Sequence, residues 1–112
     1  MQRIRSYALA TTFLALAGTA SAQSDRLEEG RQAFERHCSE CHDNPATDAP
    51  TAGDKGDWAN RSKLWEAVLS EHAKKGYLEM PARGGAENAS DYEVQAAAEY
   101  MLTISHPDLP HD

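Results

Sequence analysis

The only two cysteines of this 112-residue chain lie three positions apart, and a histidine follows at once, in the run Cys38-Ser39-Glu40-Cys41-His42. Cysteines this close together cannot join distant parts of a fold, so a small scaffold held by disulfides is excluded. The length allows one domain, and a domain of this size buries only a small hydrophobic core. We therefore expect a large bound cofactor to supply part of the apolar volume.

The first residues have the features of a secretory signal peptide. Arg3 and Arg5 form a positively charged n-region, and Tyr7–Ala17 is apolar and about as long as an h-region. Ala20-Ser21-Ala22 fits an A-x-A cleavage site. A buried N-terminal helix is the alternative interpretation of the same residues.

We expect cleavage after Ala22, which divides the chain into a signal peptide, residues 1–22, and a mature periplasmic domain, residues 23–112. Loss of two basic residues changes the formal charge from -7 to -9. This acidity argues against nucleic-acid binding, which needs clustered Lys and Arg. It favours docking to positively charged surfaces, or serves solubility alone. No apolar run reaches the roughly 18 to 20 residues that span a bilayer.

The mature sequence predicts an all-α domain with three main helices and no strand. We expect helices over Ser24–His37, Asn60–Lys75 and Ser90–Ser105, where apolar residues recur at helical spacing. The segments Asp43–Gly56 and Tyr77–Asn88 are rich in residues typical of turns, and we expect loops there.

Two of the predicted helices begin with capping signals. Asp25 and Glu28 fit a capping box for the first helix, and Ser90 and Glu93 fit one for the last. Gly30 is costly inside a helix, so we expect another helix to approach closely there. The residues predicted to face the core are Leu27, Ala33 and Phe34, then Leu64, Trp65, Val68, Leu69 and His72, and finally Val94, Ala97, Ala98, Met101 and Leu102.

The run that ends at His42 is the C-x-x-C-H signature of c-type haem attachment. Thiols at i and i+3 lie one helical turn apart, where they can add to the two vinyl groups of one porphyrin edge, and His42 can ligate the iron. A thioredoxin-type redox pair would need a βαβ pattern, and a zinc site would need two further ligands at paired spacing. Export favours haem, because bacteria attach it outside the cytoplasm.

A sixth iron ligand can come from two places in the sequence. Met80 lies in a loop directly before Pro81, which would stiffen its approach to the iron. His72 lies in a helix near that loop and would give a bis-His haem. Met101 fits the buried face of the last helix and is expected to pack in the core. An open sixth position is the remaining alternative.

Several runs together match one family. They are Gly30 and Phe34, the C-x-x-C-H run, Ala49-Pro50-Thr51-Ala52-Gly53-Asp54, Trp58 and Arg61, Met80-Pro81-Ala82-Arg83-Gly84-Gly85, and Tyr100-Met101. On these residues the chain resembles the small class I bacterial monohaem cytochromes c, most closely the cytochrome c5 type. The resemblance covers nearly all of residues 23–112. The chain departs from some members of the family in lacking a second cysteine pair.

The resemblance implies a class I cytochrome c fold, with three main helices and loops around one haem c covalently bound through Cys38 and Cys41. The Pro50 carbonyl would accept a hydrogen bond from Nδ1 of His42, and Trp58 and Arg61 would contact the haem propionates. Gly30, Phe34 and Tyr100 would form the crossing of the first and last helices. The expected cofactor-binding residues are Cys38, Cys41, His42, Pro50, Trp58, Arg61 and Met80, with His42 and Met80 on the iron.

Ligation by His and Met raises the reduction potential relative to bis-His ligation and leaves no open position on the iron. We therefore expect a carrier of one electron between Fe(III) and Fe(II), not an enzyme. Its partners would be membrane or periplasmic redox proteins, as in a respiratory chain, and the protein would be a monomer or weak dimer. The alternatives are a haem subunit held in an oxidoreductase complex, and a haem enzyme or sensor with an open sixth site.

Overall fold

Helices make up the regular structure of the chain. The computed structural model describes residues 10–12, 18–59 and 66–108, and within them the only strand-like pairing is one isolated bridge between Tyr77 and Met80. The helices are α1 (Gly18–His37), α2 (Ser39–His42), α3 (Lys55–Ala59), α4 (Glu66–Lys75) and α5 (Asp91–Ser105), with a short 3-10 helix over Ala82–Gly85. The prediction of an all-α fold is confirmed.

The last helix begins where its capping residues predict. Ser90 is the N-cap of α5, and its hydroxyl accepts a hydrogen bond from the Glu93 amide at 3.1 Å. The Glu93 carboxylate accepts in return from the Ser90 amide at 3.0 Å. These two bonds satisfy backbone donors that the helix itself cannot pair.

The first helix is longer than predicted. It begins at Gly18 and not at Ser24, so the prediction of Asp25 as its N-cap is wrong in this chain. The residues just before Ser24 contain no proline and permit helix, so nothing stops the helix at that point. The Glu28 carboxylate, predicted to complete the cap, instead accepts hydrogen bonds from Arg31. The expected cleavage after Ala22 stays a prediction, and most of the predicted n- and h-regions lie outside the described residues.

The described part of α4 turns a different face inward than its apolar stripe predicts. Val68 is 39 % exposed, so its prediction as a core residue is wrong, whereas Ser70 is only 3 % exposed. Two residues correspond to about 200° around a helix, so these side chains lie on opposite sides of α4. Leu69 and His72 are half-buried. The predicted first turns of this helix, with Leu64 and Trp65, lie outside the described residues.

The core forms where α1 and α5 cross. A Cβ atom on Gly30 would overlap the carbonyl oxygen of Ala96 and lie 3.0 Å from the Cβ of Tyr100, so α5 approaches α1 as closely as predicted. The rings of Phe34 and Tyr100 lie beside this point, with their centroids 5.5 Å apart. Ala33, Phe34, Trp58, Ala97 and Met101 form the buried cluster.

An ion pair nearer the start of α1 also ties the same two helices together. Arg26 makes a two-point contact with Glu99 of α5, at 2.6 and 2.8 Å. Its guanidinium also lies 4.3 Å from the ring centroid of Tyr92. Within the described part of the chain, no helix is both long enough and apolar enough to cross a membrane.

Replacing Gly30 with alanine should destabilise the protein despite alanine's better helix propensity. The propensity gain is about 1 kcal/mol, but the new methyl would overlap the Ala96 backbone, and overpacking of this kind costs more. We expect Gly30→Ala to lower the free energy of unfolding by about 2 kcal/mol, measured by guanidinium unfolding of the haem-loaded protein. Gln32→Ala, on the exposed side of the same helix, should change it little; an unchanged Gly30→Ala protein would contradict the close crossing.

The α5 cap should give the protein's stability a dependence on acid pH. The Ser90 amide, and after it the Arg36 guanidinium, lower the pKa of Glu93 from its ordinary 4.5 to about 2. A carboxylate with a lowered pKa stabilises the folded state above pH 4.5 and loses that contribution as the pH falls toward 2.

Glu93→Gln should therefore lower the thermal unfolding midpoint at pH 7, and the difference from the wild type should shrink between pH 4.5 and 2. Calorimetry of the haem-loaded protein across this range measures it. Glu87→Gln, in the exposed loop before α5, is the matched control. A difference that stays constant with pH would show that the charge of Glu93 is not what stabilises the cap.

Candidate functional site

The C-x-x-C-H run lies directly at the end of α1. The Cys38 amide donates to the Phe34 carbonyl at 2.9 Å, and the amides of Cys41 and His42 donate back to the Cys38 carbonyl at 3.3 and 2.9 Å. The single turn of α2 thus places the two cysteines one turn apart, as predicted. Thr47, to which the sequence assigned no role, donates its hydroxyl hydrogen to the Cys41 carbonyl at 2.7 Å and holds the end of this turn.

The two thiols differ in their surroundings. Cys38 packs against the buried cluster at the helix crossing, and burial raises the pKa of its thiol to about 11, with a smaller contribution from the neighbouring Cys41. Cys41 is exposed, and the two cysteines are not joined to each other by a disulfide. One thiol therefore lies at the edge of the core and the other at the protein surface.

His42 is held in one orientation by the loop that follows it. The ring is 9 % exposed, and its Nδ1 lies 2.9 Å from the Pro50 carbonyl oxygen. A carbonyl only accepts hydrogen bonds, so Nδ1 carries a proton and Nε2 is the ring nitrogen left to bind a metal. A second hydrogen bond joins the same loop to His42, because the Ala52 amide donates to the His42 carbonyl at 2.7 Å. An imidazole oriented in this way can bind a metal through Nε2.

Met80 closes a tight turn stabilised by two backbone hydrogen bonds. Tyr77 and Met80 exchange amide-to-carbonyl bonds, both of 3.0 Å, and Leu78 between them takes a φ of 51°. A Cβ atom on Gly84 would lie 4.0 Å from the Met80 Cε and 3.6 Å from the carbonyl oxygen of His37. The Met80 loop, residues 77–85, therefore lies against the residue that precedes Cys38.

The other candidates for a sixth ligand are engaged elsewhere. The His72 ring stacks on Tyr77 with centroids 3.9 Å apart and planes 4° from parallel. Met101 is buried in the cluster with Phe34 and Trp58, which agrees with its predicted packing role.

Trp58 and Arg61 are the residues that the resemblance assigned to the haem propionates. Trp58 is buried, and its indole N–H donates to the Thr51 carbonyl at 2.8 Å, so this donor is already used within the chain. Its ring also meets His106 edge-on, with centroids 6.1 Å apart. Arg61 lies outside the described residues. The propionate contacts of both stay predictions.

Comparisons with known proteins agree on one family. The family described as "Cytochrome C oxidase, cbb3-type, subunit III" matches residues 25–101. The cytochrome c-555 of Chlorobaculum tepidum is 33 % identical over 106 residues, which cover 91 % of this chain and 96 % of that protein. The chain belongs to the class I c-type cytochromes. The c5 subtype stays a prediction.

Two further relatives of this chain are also cytochromes c-555. The cytochrome c-555 of Chlorobaculum thiosulfatiphilum is 32 % identical over 77 residues, covering 65 % of this chain and 90 % of that protein. The cytochrome c-555 of Prosthecochloris aestuarii is 29 % identical over 84 residues, covering 68 % and 85 % respectively.

Membership of the family gives the cytochrome one covalently bound haem c, and the residues present fit this group. Cys38 and Cys41 have the required spacing, and His42 presents Nε2 because its Nδ1–H donates to the Pro50 carbonyl. Met80 adds a thioether on a loop next to the run. A six-coordinate haem c needs two thiols for its vinyl groups and two axial donors for its iron, and an imidazole and a thioether can be those donors.

Sequence reasoning missed the residue that fastens the Met80 loop. The sequence singled out Arg83 as part of a family motif but assigned it no role. Its guanidinium donates to the Ala89 carbonyl at 2.8 Å and to the Asp91 carboxylate. The sequence feature that could have indicated this role is an arginine directly before two glycines in a predicted loop.

Replacing Trp58 with phenylalanine tests what the indole N–H does. The substitution leaves the Thr51 carbonyl without its donor, and we expect the free energy of unfolding to fall by about 1 kcal/mol. Because that donor is used within the chain, the reduction potential should stay unchanged. Denaturant unfolding and redox titration of the haem-loaded variant measure the two quantities. A clear change in potential would show that the indole donor acts on the haem instead.

Proposed function

We propose that this cytochrome is an exported carrier of single electrons, with haem c joined to Cys38 and Cys41 and its iron held between His42 and Met80. The observation that carries the proposal is the 2.9 Å bond from Nδ1 of His42 to the Pro50 carbonyl. It fixes a buried imidazole with its free nitrogen available to iron. The haem supplies the Fe(III)/Fe(II) couple, and the chain supplies ligands whose positions do not depend on the redox state.

Orientation of His42 is the contribution of the loop that follows it. The hydrogen bond to Pro50 raises the basicity of the ring, and the Ala52 amide holds the His42 backbone at 2.7 Å. A ligand fixed on both sides needs little rearrangement when the charge on the iron changes. Small rearrangement is what rapid electron exchange requires.

Met80 is supported as the second axial ligand by its loop. The paired bonds between Tyr77 and Met80 define the backbone at this residue. His72, the other candidate, is stacked on Tyr77, and Met101 is in the core. A thioether raises the reduction potential relative to a second imidazole. With both axial positions taken by the chain, no position remains for a substrate, which argues against an enzyme or a gas sensor.

Export and the choice of partner follow from the sequence. The n-region, h-region and A-x-A site support secretion to the periplasm with cleavage after Ala22. The formal charge of -9 that remains supports docking to positively charged redox partners, with association rates that fall as salt is raised. We propose a monomer or weak dimer that transfers electrons between a donor and an acceptor of a respiratory chain.

A second candidate function rests on the family description, which is that of subunit III of a cbb3-type oxidase. In that case the same haem chemistry would serve inside a permanent complex. Native purification from the source organism separates the two candidates. A free monomeric carrier elutes below the 12.3 kDa of the uncleaved chain, whereas a subunit remains with larger proteins in the membrane fraction.

Replacing Met80 with alanine tests the ligand assignment. We expect Met80→Ala to keep its covalent haem, lose the thioether-to-iron charge-transfer band of the ferric protein, and bind carbon monoxide readily when reduced. The wild type should bind carbon monoxide poorly. Optical spectra of the haem-loaded proteins measure all of this.

Met101→Leu is the matched control, because it removes the other methionine of the mature domain from a buried position and should leave the band in place. A Met80→Ala protein with an unchanged low-spin spectrum would contradict the assignment. Carbon monoxide binding by the wild type would favour a sensor or peroxidase.

A further inference from the structure

One side chain joins the Met80 loop to the start of α5. The Nη1 of Arg83 donates to the Ala89 carbonyl at 2.8 Å, and its Nη2 donates to the carboxylate of Asp91, the first residue of α5. Ala89 is only 5 % exposed. A guanidinium has a planar fork of donors, so it can serve both acceptors at once, which a lysine cannot.

The backbone conformation at position 83 favours glycine and not arginine. Its φ is 57°, and those of Gly84 and Gly85 are 63° and 83°. Positive φ suits glycine and is unfavourable for a residue with a Cβ atom. Arginine at the first of three such positions therefore requires a compensating contribution, and the contacts of its side chain provide one.

The turn that contains Arg83 lies near the proposed ligand. The Gly84 amide donates to the Pro81 carbonyl at 2.9 Å, and the Gly84 backbone lies next to the Met80 Cε and the His37 carbonyl. Movement of Arg83 away from α5 would move this turn away from Met80. Arg83 thus connects α5 to the turn at Gly84, which lies beside the Met80 thioether.

We propose that Arg83 is a positioning residue that fastens the Met80 loop to α5 and thereby keeps Met80 on the haem iron. The proposal rests on the proposed function, in which Met80 is an axial ligand. The role of Arg83 is to slow the opening of the loop, and with it the access of external ligands to the iron.

The two contacts of Arg83 contribute unequally. The side chains of Arg83 and Asp91 are 30 % and 69 % exposed, and ion pairs in contact with water stabilise little. The Ala89 carbonyl belongs to a buried residue, and a buried acceptor that loses its donor is costly. Removing Arg83 should therefore loosen the loop much more than removing the charge of Asp91.

Arg83→Gly removes the whole side chain, including the guanidinium, without straining the backbone, because glycine accepts the positive φ. The measurement is the rate at which imidazole replaces the sixth ligand of the ferric, haem-loaded protein. We expect an increase of about tenfold for Arg83→Gly, since loss of one charged hydrogen bond corresponds to about that factor. Asp91→Asn should give an increase of about threefold or less.

Arg31→Gln is the matched control. Arg31 also bridges two carboxylates, those of Glu28 and Glu35, but on the exposed side of α1. Its imidazole rate should equal that of the wild type. A rise in Arg31→Gln as large as in Arg83→Gly would overturn the proposal, because the effect would then be a general one of lost charge.

Hydrogen exchange supplies a readout that does not depend on which residue ligates the iron. The Gly84 amide of the reduced protein should exchange faster in Arg83→Gly and at the wild-type rate in Arg31→Gln. If both the imidazole rate and this exchange are unchanged in Arg83→Gly, Arg83 does not hold the loop and the proposal is overturned. If Met80→Ala keeps its spectrum, the ligand assignment fails, and Gly84 exchange still decides whether Arg83 fastens the loop.

Arg83→Lys decides the question where Arg83→Gly yields no haem-loaded protein. It keeps the positive charge but loses the planar set of donors. We therefore expect imidazole to replace the sixth ligand at a rate between those of the wild type and Arg83→Gly. Identical rates and identical Gly84 exchange in Arg83→Lys and the wild type would overturn the proposal.

Discussion

The close crossing of α1 and α5 is the contact on which the rest of the molecule depends. Gly30 lets the Ala96 backbone approach α1, and Phe34, Ala97 and Met101 fill the space beside it. A small domain has little other core to rely on. Both parts of the functional site are attached to these two helices. α1 ends directly before Cys38, and α5 begins at Asp91, which Arg83 of the Met80 loop contacts.

From this crossing the site is assembled by hydrogen bonds to backbone carbonyls. Pro50 orients His42, Thr51 takes the indole N–H of Trp58, and Ala89 takes the guanidinium of Arg83. Each bond joins a functional or core side chain to an irregular segment. These segments lack the regular backbone hydrogen bonds of a helix or sheet, so bonds from side chains to their carbonyls give them a defined position.

The sequence predicted well where the information was local. Ser90 and Glu93 lie three residues apart, so the start of α5 could be read directly, and the C-x-x-C-H run predicted its own turn. Local evidence was misleading at Asp25, because a capping residue does not end a helix that its neighbours continue. Val68 was misassigned because periodicity shows that α4 has two faces but not which face meets α5. The contact of Arg83 with Ala89 could not be predicted, since it depends on how the loop folds back on α5.

The unequal burial of the two thiols bears on the order of events in making the protein. Because its thiol packs against the core and burial raises its pKa to about 11, Cys38 of the folded chain is a weaker nucleophile than a thiol with an ordinary pKa. Formation of the thioether there should be faster while α1 and α5 are still apart. The order of haem attachment and folding therefore affects how readily Cys38 reacts, and attachment before the helix crossing forms is the faster route.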